Sequence, residues 1–299
     1  MKDETLWRRL SGIYDTDEAK AIVRWMLDEK FGLSLTDIVC GKLDDLTEEE
    51  CIELEKTMLR LEQGEPVQYV LGVAEFCGRR FHVEPGVLIP RPETGELCRW
   101  ISQKNRPSVT SQILDVGTGS GCIAITLALE IPQAKVTAWD ISEKALSIAK
   151  KNAEALGAEV TFEKRDALNH GDRHSDLRCA TIIEPVPMIH PDPMIQQWDA
   201  IVSNPPYVCQ KEAAGMERHV LEHEPHLALF VPDDDPLRFY RAIAEYALKT
   251  LKPNGLLYFE LNPLYARETE AMVRRIGFAE TEIKQDMFGK QRFLKAKKI

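Results

Sequence analysis

Ile113-Leu114-Asp115-Val116-Gly117-Thr118-Gly119-Ser120-Gly121 is an apolar strand running into a three-glycine turn, and Cys122–Glu130 behind it reads as a helix. Glycines at such a turn take positive φ and let a ligand approach the main chain closely. The next apolar run, Lys135–Trp139, ends at Asp140, nineteen residues after Gly121. A carboxylate placed there can accept hydrogen bonds from two ribose hydroxyls. The spacing is Gly-x-Gly-x-Gly, not the Gly-x-Gly-x-x-Gly of pyrophosphate sites. Asp115 puts a negative charge beside the turn, which would repel a pyrophosphate but suits the cationic amino acid end of S-adenosyl-L-methionine. Asp166, closing the third run, stands where contact with an adenine amino group is expected. A purely structural glycine turn is the competing reading, and Asp140 counts against it.

Outward from this stretch, strands and helices alternate. Further strands are expected at Val160–Glu163, Ala200–Ser203, Leu256–Glu260, Glu280–Lys284 and Arg292–Ala296, and helices at Glu143–Leu156, Leu237–Leu251 and Ala266–Ile276. That alternation predicts an α/β unit with a doubly wound, mostly parallel, seven-stranded sheet. Four prolines between Pro185 and Pro193 interrupt it, in a long loop or flap.

Upstream the period is helical. Leu6, Leu10 and Ile13 repeat at helix spacing, as do Ala21, Ile22, Trp25 and Met26, and Thr47-Glu48-Glu49-Glu50 opens a helix in the form of a capping box. No helix here is apolar all round, so the faces must pack together as a small bundle. Val67–Phe76 and Arg80–Val83 read as β-runs around Cys77-Gly78, a hairpin linker. The expected organisation is a helical unit over residues 1–66, a linker over 67–88 and the α/β unit over 89–299.

Composition narrows the function. The chain of 299 residues has 38 Lys+Arg against 48 Asp+Glu, a net charge of −10. That balance argues against holding nucleic acid mainly through phosphates. No apolar run is long enough to cross a bilayer, and the N-terminus lacks a signal-peptide apolar region, so a cytoplasmic protein is expected. Seven cysteines (Cys40, Cys51, Cys77, Cys98, Cys122, Cys179, Cys209) form no Cys-x-x-Cys and read as reduced thiols. His219, His223 and His226 lack a convincing further ligand, and no metal is expected.

The second chemical signal is Asn204-Pro205-Pro206-Tyr207, directly after strand Ala200–Ser203. Ligands of parallel sheets gather at the carboxyl ends of the strands, so this segment should face the glycine turn. Two prolines stiffen it. The Asn204 side-chain oxygen and the Pro205 carbonyl could hold the two N–H bonds of a planar nitrogen, either a carboxamide or the exocyclic amine of a base. Tyr207 could stack on that group and bring its ring face near a sulfonium. Asn204, Pro205 and Tyr207 are therefore the expected catalytic residues, with Pro206 completing the acceptor site. A rigid Asn-Pro turn without chemistry is the alternative. A nucleic acid adenine methyltransferase is a further one, opposed by the charge of −10 and the absence of a basic tract.

The chain resembles the class I S-adenosylmethionine-dependent methyltransferases, and among them the release factor glutamine N5-methyltransferase family. The resemblance rests on Gly64-Glu65-Pro66-Val67-Gln68-Tyr69 with Gly72 and Glu75-Phe76, on Ile89-Pro90-Arg91-Pro92-Glu93-Thr94, and on Asp115–Gly121 and Asp140. It continues through Val202-Ser203-Asn204-Pro205-Pro206-Tyr207, then Glu224-Pro225 with Ala228-Leu229. It implies methyl transfer from S-adenosyl-L-methionine to the glutamine of the Gly-Gly-Gln motif of peptide chain release factors, by a monomer whose N-terminal bundle helps dock the substrate. Cofactor contacts carried over by position are Gly117, Thr118, Gly119, Ser120, Gly121, Asp140, Ala167 and Asn204, beside Asp115 and Asp166 above. Three residues depart from the family pattern: Gly95, where a Glu is often repeated; Ala167, where an aromatic residue commonly flanks the adenine; and Asn262, where Gly is usual.

Overall fold

A computed structural model describes residues 3–104, 111–169 and 197–299. Cys179 and the proline-rich stretch lie outside the described residues. The chain starts with α1 (Asp3–Arg9), α2 (Thr16–Phe31), α3 (Leu35–Val39), α4 (Glu48–Glu62) and α5 (Val67–Leu71). Asp15 caps α2 by accepting the Asp17 and Glu18 N–H groups, each at 2.9 Å. The capping box before α4 forms as the sequence predicts: Glu50 N–H donates to Thr47 Oγ1 at 3.2 Å and Thr47 N–H to the Glu50 carboxylate at 2.8 Å. Leu6, Leu10, Met26, Leu27, Leu54, Met58 and Leu61 make the bundle core. Each such side chain contributes about 1.5–3 kcal/mol on burial.

One expectation is corrected here. Val67–Phe76 is not a continuous β-run: Val67–Leu71 is helical, and the strand β1 covers only Val73–Phe76. Pro66 suits a helix start, Val67 and Val70 turn one face into the bundle core, and Gly72 ends the turn at φ 73°. β1 pairs with β2 (Arg79–His82) through the turn Cys77-Gly78, both residues in the left-handed region. That is the hand a two-residue hairpin requires. Phe76 and Phe81 meet edge to face at 5.9 Å, inside the same apolar cluster as Leu97, Ile101 and Ile123. The hairpin is thus built into the core of the α/β unit.

That unit contains α6 (Pro92–Lys104), β3 (Gln112–Val116), α7 (Cys122–Glu130), β4 (Lys135–Asp140), α8 (Glu143–Leu156), β5 (Val160–Lys164) and β6 (Trp198–Ser203). β7 (Val208–Cys209), α9 (Arg218–His223), α10 (His226–Leu229) and β8 (Phe230–Val231) follow, then α11 (Arg238–Thr250), β9 (Leu251–Glu260), α12 (Ala266–Ile276), β10 (Glu280–Gln285) and β11 (Gln291–Lys297). Seven strands form one sheet in the order β10-β11-β9-β6-β3-β4-β5. β5, β4, β3, β6 and β9 run parallel, and β11 lies antiparallel to both of its neighbours. One apolar cluster lies under α6 and α7, with Trp100, Ile123 and Leu127. The other lies under α11 and α12, with Tyr240, Ile243 and Val273. The expected doubly wound sheet is what forms.

The chain moves outward from β3 to β5 and returns to β6 on the other side of β3. The strand order therefore reverses between β3 and β6, the place where such sheets bind ligands. Register sets the level of the groups there. Val116 pairs with Trp139 on one side and with Ser203 on the other, and Ser203 with Phe259. Gly117, Asp140, Asn204 and Glu260, each one residue further, thus emerge together along one edge.

Candidate active site

A cavity of about 410 Å³ opens at that edge. Gly117, Thr118, Gly119 and Ser120 form its floor, Asp140, Asp166 and Ala167 one side, and Asn204, Pro205 and Pro206 another. The glycine loop is pinned from below: the N–H groups of Gly117 and Thr118 donate to the Trp139 carbonyl at 2.8 and 2.9 Å. Asp140 holds it from the side, with Oδ2 accepting Gly119 N–H and Oδ1 accepting Ser142 N–H, both at 2.9 Å. An ionised carboxylate has about four acceptor sites, so two remain for hydroxyl donors. Burial pushes the Asp140 carboxyl above its ordinary range, and these N–H bonds oppose the shift. Asp166 Oδ1 accepts Leu168 N–H at 2.8 Å.

Three expected site residues stand off the cavity wall. Asp115 is fully buried behind the glycine loop, where it accepts from Thr118 Oγ1 at 2.6 Å. Its other oxygen, Oδ1, is buried without a hydrogen-bond partner among the described residues, and burial pushes the carboxyl up to about 7. Gly121 serves packing: a Cβ there would meet Ile125 Cδ1 at 2.8 Å and Ala149 Cβ at 3.1 Å. Tyr207 turns its hydroxyl to Glu260 Oε1 at 3.1 Å, and burial holds the phenol well above its ordinary range.

The segment after β6 is held at both ends. Ser203 Oγ donates to the Val116 carbonyl at 2.7 Å. Asn262 Nδ2 donates to the Tyr207 carbonyl at 3.0 Å, which gives that departure from the family pattern a function in this chain. Between these anchors, Asn204 Oδ1 and the Pro205 carbonyl accept no hydrogen bond among the described residues. Gly95 is explained by the hairpin, since a Cβ there would lie 3.1 Å from Cys77 Sγ.

Four polar residues that complete the site have no role in the sequence reading, where Arg91, Thr94 and Glu224 only carry the family resemblance and Glu260 only ends a strand. Buried Thr94, on the first turn of α6, donates from Oγ1 to Glu260 Oε2 at 2.6 Å. Glu224 has a fully buried side chain that accepts Ile89 N–H at 3.1 Å and an Arg91 guanidinium N–H. It stitches the cavity wall at Pro90 and Arg91 to the wall at Pro225 and Ala228. The signal was present as acids inside otherwise apolar surroundings, but their partners are 133 or more residues distant in the chain. Among the described residues no acid, histidine and cysteine cluster could hold a metal ion.

The residues fit a nucleoside carrying a cationic tail: a carboxylate with spare acceptor sites, a glycine floor, and a buried acid beneath it. Comparison with known proteins places the chain as a whole. A model described as a methyltransferase domain matches residues 108–262, and one described as the PrmC N-terminal domain matches residues 7–72. A release factor glutamine methyltransferase of Bacteroides thetaiotaomicron is 46% identical over 287 residues, 96% of this chain and 95% of that one. This chain belongs to the release factor glutamine methyltransferase family. A second relative of that name, from Flavobacterium psychrophilum, is 39% identical and spans 96% of this chain and 94% of its own length. A third, from Streptococcus pneumoniae, is 36% identical over 88% of this chain and 86% of its own. Family membership therefore covers the bundle, hairpin and sheet together. Among the described residues no helix is long and apolar enough to cross a membrane.

Proposed function

We propose that this chain transfers a methyl group to the side-chain amide nitrogen (N5) of the glutamine in the Gly-Gly-Gln motif of peptide chain release factors. The observation that carries the reading is the pair of unengaged acceptors, Asn204 Oδ1 and Pro205 O, on a cavity shared with the glycine loop and Asp140. The relatives' names support the same substrate. S-adenosyl-L-methionine, when bound, would supply an electrophilic methyl group on a positively charged sulfur, whose S–CH3 bond breaks as the N–CH3 bond forms and which leaves as a neutral thioether. Asp140 would accept its ribose hydroxyls, and the Gly117–Ser120 loop and Asp166, which line the same cavity, would hold the rest.

An amide nitrogen is a weak nucleophile because its lone pair is delocalised, the same conjugation that makes amide rotation cost ~18–20 kcal/mol. Asn204 Oδ1 and the Pro205 carbonyl accept its two N–H bonds. That orients the face carrying the lone pair, and it stabilises positive charge as it grows on nitrogen. Fixed orientation is a large part of the attainable rate gain, and preorganised acceptors need no rearrangement during reaction. The methylated nitrogen then loses its extra proton to water, so no dedicated base is required. We assign the helical bundle to docking the substrate protein. We also propose that the chain works as a monomer in the cytoplasm, without binding nucleic acid.

Incubation with methyl-labelled S-adenosyl-L-methionine and a purified release factor tests this. The expected product is the factor with one methyl group on the motif glutamine, found by peptide mass spectrometry. A factor whose glutamine is replaced by glutamate should take none. Equal labelling of that variant, or labelling of DNA or RNA in its place, overturns the proposal.

A further inference from the structure

The hydrogen-bond chain behind Asn204 decides a question of orientation that the acceptor role alone leaves open. An asparagine presents a carbonyl oxygen at one end of its amide and an NH₂ at the other. Only the oxygen can accept an N–H of the substrate. Asn204 Nδ2 lies 3.4 Å from Thr94 Oγ1, a long contact of the kind catalytic hydrogen bonds often show before substrate arrives. Thr94 Oγ1 lies 2.6 Å from Glu260 Oε2 in a fully buried contact. The second carboxylate oxygen accepts the Tyr207 hydroxyl at 3.1 Å.

Proton bookkeeping then runs in one direction. Burial pushes the Glu260 carboxyl up, while the Thr94 and Tyr207 hydroxyls, one on each oxygen, and the nearby Arg292 charge oppose that shift. With both of its oxygens accepting, the carboxylate commits the single hydroxyl proton of Thr94 to itself. The Thr94 oxygen is left with lone pairs alone and can be met only by a donor. Asn204 must turn its NH₂ to Thr94, which sends Oδ1 to the methyl acceptor. Glu260 is itself fixed, because β9 lies beside β6 with Phe259 opposite Ser203 and because the Tyr240 hydroxyl donates to the Glu260 carbonyl at 3.1 Å.

We infer that Thr94 and Glu260 are positioning residues that lock the Asn204 amide with Oδ1 facing the substrate nitrogen. The same carboxylate holds Tyr207, so one acid aligns both ends of the four-residue acceptor segment. This inference rests on the proposed methyl transfer to a glutamine amide.

The test is a double-mutant cycle on the full-length enzyme with release factor as substrate. Thr94→Val keeps the shape and removes the hydroxyl. It should lower kcat by about 10- to 100-fold, the range expected when a hydrogen bond in a charged network is lost. KM for the release factor and calorimetric affinity for S-adenosyl-L-methionine should stay within about twofold. Thr94→Ser restores the hydroxyl and should recover most of kcat. In the Asn204→Ala background the same Thr94→Val change should cost less than about twofold, because residues acting as one unit are not additive. Unchanged kcat in Thr94→Val, failure of Thr94→Ser to rescue, or losses that multiply in the double variant would each overturn the inference. Should Thr94→Val fold poorly, Thr94→Ala must give the same pattern. Wild-type transfer to the release factor is the control. Its absence counts against the functional reading, whereas an active wild type with an indifferent Thr94 sinks only the orientation lock.

Discussion

Asp115 shows how much chemistry one buried residue can store. It sits behind the glycine loop with one oxygen on Thr118 and the other without a hydrogen-bond partner among the described residues, and burial raises its carboxyl from the ordinary value of 3.8 to about 7. Between those two values the folded, ligand-free protein holds a proton that the unfolded chain has released. Stability therefore falls as pH rises through that window, with the full loss present above about 7. By linkage the size is on the order of 4 kcal/mol. Asp115→Asn removes the titration, so urea denaturation of the ligand-free variant should lose less stability between pH 5 and pH 8 than wild type does. Parallel curves would show that Asp115 is not the group responsible. At this scale the sequence was partly legible. Asp140 and Asn204 announce themselves because each directly follows a recognisable apolar run. Thr94 and Glu260 do not, because the contact that gives them meaning spans 166 residues and leaves no local pattern.

The glycine loop and the helix behind it make the case at the level of an element. α7 starts at Gly121, whose φ is 85° and whose missing Cβ leaves room for Ile125 and Ala149. Gly121→Ala places a side chain in the left-handed region, costing about 1–2 kcal/mol, and forces α7 from α8 at a further 1–3 kcal/mol. The expected loss is about 2–5 kcal/mol in urea denaturation. Gly119→Ala is the contrast. Its φ is 56° but nothing lies within 4 Å of the added Cβ, so only the conformational cost of about 1–2 kcal/mol applies. Equal losses at the two positions would refute the packing account. Strong periodicity made most elements readable: the expected strand Ala200–Ser203 lies inside Trp198–Ser203, and the helix Glu143–Leu156 forms as read. Val67–Leu71 defeated the reading because five residues cannot display a helical period. The short parallel pair β7 and β8 carries too few residues to signal at all.

Across the whole molecule, one side chain joins three parts. Asn152 on α8 accepts His82 N–H at 2.7 Å and donates to the carbonyls of His82 and Ser120, at 3.0 and 2.9 Å. It binds the hairpin to the glycine loop through the middle of the core and is only 1% exposed. Asn152→Leu keeps the volume but strands the buried Ser120 carbonyl, worth about 1–3 kcal/mol when unsatisfied, together with the part-buried N–H and carbonyl of His82. A fall of at least about 2 kcal/mol in unfolding free energy is expected by urea titration, with weakened S-adenosyl-L-methionine binding by calorimetry. A neutral substitution would mean that the hairpin is only loosely attached. The alternation of strands and helices makes the sheet order legible, since parallel connections have one hand and ligands gather where the order turns. How the bundle meets the sheet was hidden, because it depends on Phe76 and Phe81 entering a core otherwise made of distant segments.

That shared core sets where the chain can be cut and rejoined. Gly72, at the left-handed end of α5, is a seam at which a different helical head would leave both phenylalanines in place, provided it brought an equivalent of Tyr69, which packs beside Val83, Val87 and Ala145 and donates its hydroxyl to the Val87 carbonyl. A splice at Gly86 would instead carry away two phenylalanine plugs and the backbone that Asn152 grips. The recipient would receive a catalytic half with a hole beneath the floor on which its methyl donor rests.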